Sequence, residues 1–274
     1  KPSGDFNRKA LNLHHGVLVT DEFMEAVREG AEFTLRSPKD GSERGKVDAR
    51  SLFQKLVETR LATGEPYIIF IDAVNRTMPK HHRDLGLKVT TSNLCSEITL
   101  PTGKDHLGAD RTAVCCLSSM NLETWDEWNG DKHFVEDVMR FLDNVLSDYI
   151  ARAPDEMARA KYSAERERSV GLGVMGFHSF LQARGLPFEG AMAKSWNLRI
   201  FKHINAQVDE ASMMLAQERG PCPDAADMGV MERFSCKMAI APTASISIIC
   251  GGTSACIEPI PGNVYTHKTL SGSF

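Results

Sequence analysis

The sequence predicts an α/β fold, because helical patterns alternate with short apolar runs typical of buried strands. Asp48 to Ala62 places apolar residues at helical spacing, and Gly64 follows as a stop signal. Tyr67–Ile71 comes next, a short run rich in β-branched and aromatic residues, as expected of a buried strand. A second strand candidate, Ala113–Leu117, precedes another helical pattern from His133 to Ala151. Helix followed by buried strand indicates an α/β core.

Other elements follow from end signals. Further helices are predicted after Thr20-Asp21 up to Gly30, over Gly173–Ala183 before Gly185, and over Met192–Arg219 before Gly220. The polar stretch Ser37–Lys46 lacks large apolar residues and predicts a mobile loop.

Composition limits the class of protein. With 274 residues, 42% hydrophobic and 25% charged, the chain fits one large globular domain or two small ones. A net charge of −4 argues against a nucleic-acid-binding surface, which is usually basic. No apolar run approaches the roughly 20 residues that span a bilayer, and the amino end lacks the apolar core of a signal peptide. We therefore expect a cytoplasmic protein, and since both ends look cut, an internal piece of a longer one.

The cysteine count points to a reducing compartment. Seven cysteines, including the adjacent pair Cys115-Cys116, do not form the even framework of a secreted disulfide scaffold. In a reducing compartment such thiols either fill the core or take part in chemistry.

The stretch Ser92–Glu97 sets an amide, a thiol and a carboxylate at every second position. If it is extended, Asn93, Cys95 and Glu97 point to one side, roughly 6.5 to 7 Å apart. One small substrate could then touch all three. The alternative is a buried cysteine that only fills space, which is common for this residue type.

From Ser92 to Thr102 the sequence reads SNLCSEITLPT. This segment resembles the active-site finger loop of the large (alpha) subunit of ribonucleotide reductase, and the chain is most similar to the bacterial class I enzymes. The resemblance implies that Cys95 becomes a thiyl radical that abstracts the 3′ hydrogen of a ribonucleotide. It also implies that Glu97 takes the proton of the 3′ hydroxyl and that Asn93 binds the ribose, with Leu94 and Ser96 completing the substrate contacts of the loop.

The same resemblance implies the fold. Residues 1–274 would form part of a ten-stranded α/β barrel, with the Cys95 loop inserted through its centre. A buried location would keep a thiyl radical from water. The amino-terminal allosteric region and the carboxyl-terminal tail of the family would lie outside this chain.

A redox cysteine is implied farther along. The segment ending in Leu117-Ser118-Ser119-Met120-Asn121-Leu122 resembles the family segment that holds one of two electron-donating cysteines, and Cys115 takes that place. Cys116 remains an alternative, and either could be a buried small hydrophobe. No cysteine precedes Cys95, so the partner thiol would lie outside the chain, and these residues alone are not expected to turn over.

The second segment that predicts a site is the hydroxyl-rich turn at Pro242–Ile246. Small and hydroxyl residues leave backbone N–H and side-chain O–H donors for a phosphate, although turn chemistry alone explains many such runs. Here the run resembles the phosphate-binding loop of the family, which implies substrate contacts from Pro242, Thr243, Ala244, Ser245 and Ile246, with Thr243 and Ser245 most direct.

Two other sequence patterns do not predict a binding site. Gly171-Leu172-Gly173-Val174-Met175-Gly176 fits a dinucleotide fingerprint, but the charged stretch before it is no buried strand, so close helix packing is the better interpretation. The histidine pairs at His14-His15 and His81-His82 lack metal-site spacing, and no metal site is predicted.

The resemblance further implies partners. Class I enzymes receive the radical from a diiron small (beta) subunit, whereas class II enzymes use adenosylcobalamin. Asp110 to Trp128 and Thr266 to Gly272 resemble class I. Thioredoxin or glutaredoxin would reduce the full-length chain, an alpha homodimer is expected, and the substrate would be a ribonucleoside diphosphate. A non-catalytic, nucleotide-binding relative is the alternative from another class.

Overall fold

A computed structural model describes residues 13–262, 264–266, 268–269 and 272–273. Residues 267, 270 and 271, within the carboxyl-terminal segment that resembles class I, lie outside the described residues. The chain divides into two compact units. The first comprises the described residues of Lys1–Met78 with Leu87–Thr102, and the second Pro79–Gly86 with those of Gly103–Phe274.

The first unit pairs two parallel strands with two capped helices. Its elements are β1 (Gly16–Val19), α1 (Asp21–Glu29), β2 (Glu32–Arg36), β3 (Glu43–Asp48), α2 (Ala49–Thr63), β4 (Tyr67–Phe70) and α3 (Ile71–Thr77). β1 lies parallel to β4, with Gly16 opposite Tyr67. The Thr20 side chain accepts from the Phe23 N–H and Gly30 ends α1 in the left-handed region, which confirms both predicted ends of that helix.

Two predictions in this unit need correction. Ser37–Lys46 is not wholly a loop, because β2 and β3 form an antiparallel hairpin that includes Glu43–Lys46. The β4 strand is half-buried rather than buried, with Phe70 48% exposed, and Ile71 already begins α3. The small core of the unit consists of Val19, Phe23 and Ala49 with partly buried neighbours.

The second unit is mostly helical. Its helices are α4 (Lys80–Asp84), α5 (Trp125–Trp128), α6 (Phe134–Arg152), α7 (Ala158–Glu167), α8 (Phe177–Ala183), α9 (Ala191–Arg219), α10 (Pro223–Ala226) and α11 (Ile246–Ile249). Its strands are β5 (Gly103–Lys104), β6 (Asp110–Arg111), β7 (Leu117–Asn121), β8 (Gly171–Met175), β9 (Lys268–Thr269) and β10 (Gly272–Ser273). Short 3-10 turns cover Leu122–Thr124 and Asp155–Met157.

The main core lies where α6, α8 and α9 cover the parallel pair β7 and β8. It includes Leu142 and Leu146 from α6 and Ile204 and Leu215 from α9, all at most 2% exposed. Helices α6 and α9 were predicted from apolar spacing and end signals, and their observed ends lie within about one residue of the prediction. No helix among the described residues is long and apolar enough to cross a membrane.

The glycine-rich segment was assigned wrongly. Gly171–Met175 forms the buried strand β8, parallel to β7, and the helix begins only at Phe177. Close packing does explain the glycines: a Cβ on Gly173 would lie 2.2 Å from the Ala239 carbonyl oxygen. The second predicted strand is also shifted, since β7 begins at Leu117 and residues 113–116 precede it.

We expect Gly173→Ala to lower the free energy of unfolding by about 1–3 kcal/mol, because the added methyl group would push the backbone of β8 away from that of Ala239. Urea denaturation measures this. Gly130→Ala is the matched control, since nothing lies within 4 Å of a Cβ at that turn position. Equal stability of the two variants would contradict the packing explanation.

Glu167, the last residue of α7, has a buried carboxyl group. Glu167 is 2% exposed, and its Oε2 accepts a hydrogen bond of 2.9 Å from the Ser169 hydroxyl. Burial raises the pKa of Glu167 to about 8. The folded protein therefore keeps this proton at pH values where an exposed glutamate has lost it.

The stability contribution of the Glu167 proton is complete below the ordinary pKa of glutamate and is lost as the pH rises through the folded pKa. We expect the unfolding free energy of the wild type, relative to that of Glu167→Gln, to fall between about pH 5 and about pH 9. Denaturant titrations across that range measure it, with the exposed neighbour variant Glu165→Gln as control. Parallel pH profiles for wild type and Glu167→Gln would contradict the assignment.

Candidate active site

The segment Ser92–Glu97 folds as a tight turn, and the prediction of an extended strand is wrong. The Ser96 N–H donates to the Asn93 carbonyl oxygen at 3.2 Å, and Ser96 has a positive φ of 71°. The Asn93 side chain explains the turn: its Oδ1 accepts from the Ile98 N–H at 3.1 Å. A local side-chain bond of this kind competes with strand pairing.

The turn nevertheless brings the predicted amide and carboxylate together. Asn93 Nδ2 donates to Glu97 Oε2 at 2.8 Å. Cys95 lies between them in the turn and is exposed, where a buried position was expected. Amide, thiol and carboxylate thus share one short loop, as predicted, but through a turn.

The electrostatics of the turn keep the thiol protonated. Burial of part of Cys95 and the nearby Glu97 carboxylate both raise the pKa of the thiol above its ordinary value. A thiolate nucleophile needs the opposite environment, with positive charge nearby. The arrangement therefore suits chemistry of the S–H bond rather than nucleophilic attack.

The loop that carries the turn is closed at its base. Asn75 and Val89 exchange two hydrogen bonds, Asn75 Nδ2 to the Val89 carbonyl at 3.0 Å and the Val89 N–H to Asn75 Oδ1 at 2.9 Å. The Thr102 N–H donates to the Lys88 carbonyl at 3.3 Å, and the hydroxyls of Thr90 and Thr102 lie 2.8 Å apart. The two arms of the loop are therefore joined below the turn.

A cavity of about 440 Å³ lies beside the turn, within the first unit. Asn93 contributes to its lining, as do Leu18 of β1 and Ile69 of β4. His14 and His15 border it, and their Nδ1 atoms each lie 3.1 Å from an oxygen of Glu65. Sequence reasoning predicted Asn93 as a site residue but missed Leu18, Ile69 and the two histidines. The signal available was the shared face of Gly16 and Leu18 on one parallel strand with Tyr67 and Ile69 on the other.

In the second unit, the structure separates the two adjacent cysteines. Cys115 is exposed, whereas Cys116 is buried in the main core, with its Sγ 3.8 Å from the Leu142 carbonyl oxygen. Burial raises the pKa of Cys116. Cys116 therefore fits the core-filling interpretation, and Cys115 is the one open to a reaction.

The hydroxyl-rich loop presents unused donors. Ala244, Ser245 and Ile246 are exposed, and within the described part of the chain their backbone N–H groups donate no hydrogen bond. Thr243 differs: it is buried, has a positive φ of 50°, and its hydroxyl accepts from the Cys256 N–H at 2.7 Å. Thr243 thus shapes the loop, while Ser245 lies open to a ligand.

The described residues contain no group of three or more His, Cys, Asp or Glu side chains arranged to hold a metal ion.

Comparisons with known proteins identify the family. A family model of the ribonucleotide reductase barrel domain matches residues 1–231 and 224–274. The putative ribonucleoside-diphosphate reductase large subunit of Frog virus 3 is 45% identical over 99% of this chain and 47% of its own length. A vitamin B12-dependent ribonucleoside-diphosphate reductase of Mycobacterium tuberculosis is 31% identical over 95% of this chain and 36% of its own.

A solved structure agrees. The class Id ribonucleotide reductase alpha subunit of Actinobacillus ureae superposes with a TM-score of 0.79 at 35% identity, covering 92% of this chain and 44% of that one. The chain spans about half the length of two viral relatives, 47% of the Frog virus 3 protein and 50% of that of Invertebrate iridescent virus 3. The predicted fold is confirmed, and the chain belongs to the ribonucleotide reductase family as part of its barrel domain.

Proposed function

We propose that the protein containing this chain reduces ribonucleoside diphosphates to 2′-deoxyribonucleoside diphosphates by thiyl-radical chemistry. The observation that carries the proposal is the Asn93–Ser96 turn, which joins the Asn93 amide to the Glu97 carboxylate beside a protonated Cys95 thiol. The names of the viral relatives, ribonucleoside-diphosphate reductase large subunits, support the substrate class.

Each residue of the turn has a distinct part in the proposed chemistry. The Cys95 thiyl radical takes the 3′ hydrogen atom of the ribose and becomes a thiol. Glu97 accepts the proton of the 3′ hydroxyl, which helps the 2′ hydroxyl leave as water. Asn93 orients Glu97 through its 2.8 Å hydrogen bond and binds the ribose, together with the backbone of Leu94 and Ser96.

Replacing a hydroxyl group by hydrogen needs two electrons and two protons, which two thiols supply when they form a disulfide. We infer that Cys115 is one of these thiols, because it is exposed while Cys116 is buried. Its partner would come from another part of the full-length protein, and thioredoxin or glutaredoxin would reduce the pair again.

We infer that Pro242–Ile246 binds the substrate diphosphate. The exposed backbone N–H groups of Ala244, Ser245 and Ile246 and the Ser245 hydroxyl are donors suited to phosphate oxygens. The formal net charge of −4 means that such local groups, rather than a basic surface, would attract the anion.

The described residues do not fit a diiron centre, since no cluster of metal-binding side chains is present among them. We propose that a diiron beta subunit supplies the radical to an alpha homodimer in the cytoplasm. The likeness to a class Id alpha subunit supports a class I enzyme and no more than that. The 31% identical vitamin B12-dependent relative supports the alternative, adenosylcobalamin. Activity of the full-length protein with each radical source in turn decides between them.

We propose that residues 1–274 form a partial catalytic barrel domain of a longer large subunit. The coverage of 47% of the Frog virus 3 relative supports this. The allosteric region and the carboxyl-terminal tail would then belong to the rest of that subunit.

We expect Cys95→Ser in the full-length protein to abolish reduction, by a factor of at least about 10³, because a serine hydroxyl cannot replace the thiyl radical. Substrate affinity should stay within about twofold, since the turn keeps its hydrogen bonds. Turnover and equilibrium binding of a ribonucleoside diphosphate measure the two effects. Cys250→Ser, which changes another exposed cysteine, is the control and should retain activity. Reduction by Cys95→Ser at the wild-type rate would refute the proposal.

Two substitutions in the Pro242–Ile246 loop test whether this loop binds the diphosphate. Ser245→Ala should raise the KM for the diphosphate about 3- to 10-fold without lowering Tm, because its exposed hydroxyl serves only the ligand. Thr243→Val should instead lower the stability by about 1–3 kcal/mol, since the Cys256 N–H loses its acceptor. An unchanged KM in Ser245→Ala would remove this hydroxyl from the binding site.

A further inference from the structure

Asp224 is a buried carboxylate. One of the residues that it contacts precedes the Cys95 loop in the sequence, and others follow this loop. It lies on α10 in the second unit and is 0% exposed. Arg111 binds it with two hydrogen bonds, from Nη1 at 2.6 Å and Nη2 at 2.8 Å. Arg166 Nε donates a third at 2.9 Å. His82 Nε2 lies 3.4 Å from Oδ2, a close contact without the geometry of a hydrogen bond.

The positions of these partners along the chain are informative. His82 belongs to α4, and the chain leaves the second unit four residues later, after Gly86. It returns at Gly103, and Arg111 ends the short strand β6 that follows. Between them, Leu87–Thr102 carries the whole loop with Cys95. One carboxylate thus contacts the flank before this segment and the flank after it.

Both flanks have additional fixed contacts within the second unit. Before the segment, His81 Nε2 lies 2.9 Å from the Ser235 hydroxyl, and both residues are buried. After it, Arg111 Nε donates to Asp105 Oδ2 at 3.0 Å, and the Tyr162 hydroxyl donates to the same oxygen at 2.8 Å. These contacts make each flank a fixed end rather than a free chain.

The charge balance makes the Asp224 contacts strong. Burial alone would raise the pKa of Asp224, but Arg111, His82 and Arg166 hold it below its ordinary value, so the carboxylate is charged. Bidentate hydrogen bonds between an arginine and a carboxylate also fix direction as well as distance. Removing one partner of such a buried pair leaves the other charge uncompensated.

We propose that Asp224 is a positioning residue for Cys95, because it binds Arg111 after the Leu87–Thr102 segment and packs against His82 before it, and so limits the conformations of the turn. Fixing the two ends of a loop removes much of its conformational freedom, whatever closes it farther along. The Lys88–Thr102 hydrogen bond joins the two ends of the segment a second time, at positions nearer to the turn than His82 and Arg111. The role for Cys95 rests on the proposed reductase function, whereas the restraint of the segment does not.

Asp143 offers a matched control in the same unit. It is also a 0% exposed carboxylate, and it binds Arg168, Arg219 and Arg233, with Arg233 Nε at 2.8 Å. None of these partners lies in or next to the Leu87–Thr102 segment. Asp143→Asn and Arg233→Lys therefore reproduce the loss of a buried ionic network without releasing the flanks.

The experiment compares Asp224→Asn and Arg111→Lys with those controls in the full-length protein with its radical source. Amide hydrogen exchange across residues 87–102 should become about tenfold faster in the first pair and stay within about twofold in the controls. With ribonucleoside diphosphate as substrate, kcat should fall about fivefold or more while KM stays within about twofold. Arg111→Lys keeps its charge and carries the test if Asp224→Asn does not fold.

Equal exchange across residues 87–102 in the test and control variants would overturn the proposal. So would a fall in kcat of the same size in Arg233→Lys as in Arg111→Lys. Wild-type protein without reductase activity would instead overturn the proposed function, and the exchange data would still report on the restraint by Asp224.

Discussion

The candidate site depends on the hydrogen bonds of one side chain, that of Asn93. Its oxygen accepts from the Ile98 N–H and its nitrogen donates to Glu97, so both ends of the amide are used within its own loop. These bonds stabilise the turn that contains Cys95 and hold the Glu97 carboxylate near it. Partial burial of the thiol and this carboxylate both raise the pKa of Cys95. A group that must give and take a hydrogen atom benefits from this environment, whereas a nucleophilic cysteine would not.

The second unit meets a different constraint, the cost of burying charge. Asp143 and Asp224 are both fully buried, and each is surrounded by arginines that donate hydrogen bonds to it. Among the described residues no arginine donates a hydrogen bond to Glu167. Burial raises the pKa of its carboxyl group to about 8, so this group keeps its proton instead. Paired and neutral carboxyl groups are the two ways of avoiding an isolated buried charge. The paired ones join segments that are distant in sequence, such as Arg111 and α10.

Much of the fold was predictable, because local signals and packing agreed. Capping residues and glycine stops placed α1 and α2, apolar spacing placed α6, and a glycine stop placed the end of α9. Several segments were not, and three of them show why. The bonds of Asn93 turned an expected strand into a turn, the glycines of β8 reflect contact with Ala239 rather than a helix, and the hairpin after Arg36 is held by backbone pairing that its polar sequence does not reveal. For the site, spacing and resemblance predicted Asn93, Cys95 and Glu97, and the structure joins Asn93 to Glu97 by a hydrogen bond. The contacts of Asp224 connect residues more than 100 positions apart, as in the pair Arg111–Asp224, which no local pattern shows.

The most direct measurement of the central claim is a crystal structure of the full-length protein with a ribonucleoside diphosphate bound. We expect the Cys95 sulfur within about 3.5 Å of the ribose C3′ atom, at reacting distance. The 3′ hydroxyl should lie within hydrogen-bonding distance of Glu97, and the phosphates on the exposed N–H groups of residues 244–246. A ribose bound away from Cys95, with the sulfur out of reach of C3′, would contradict the account.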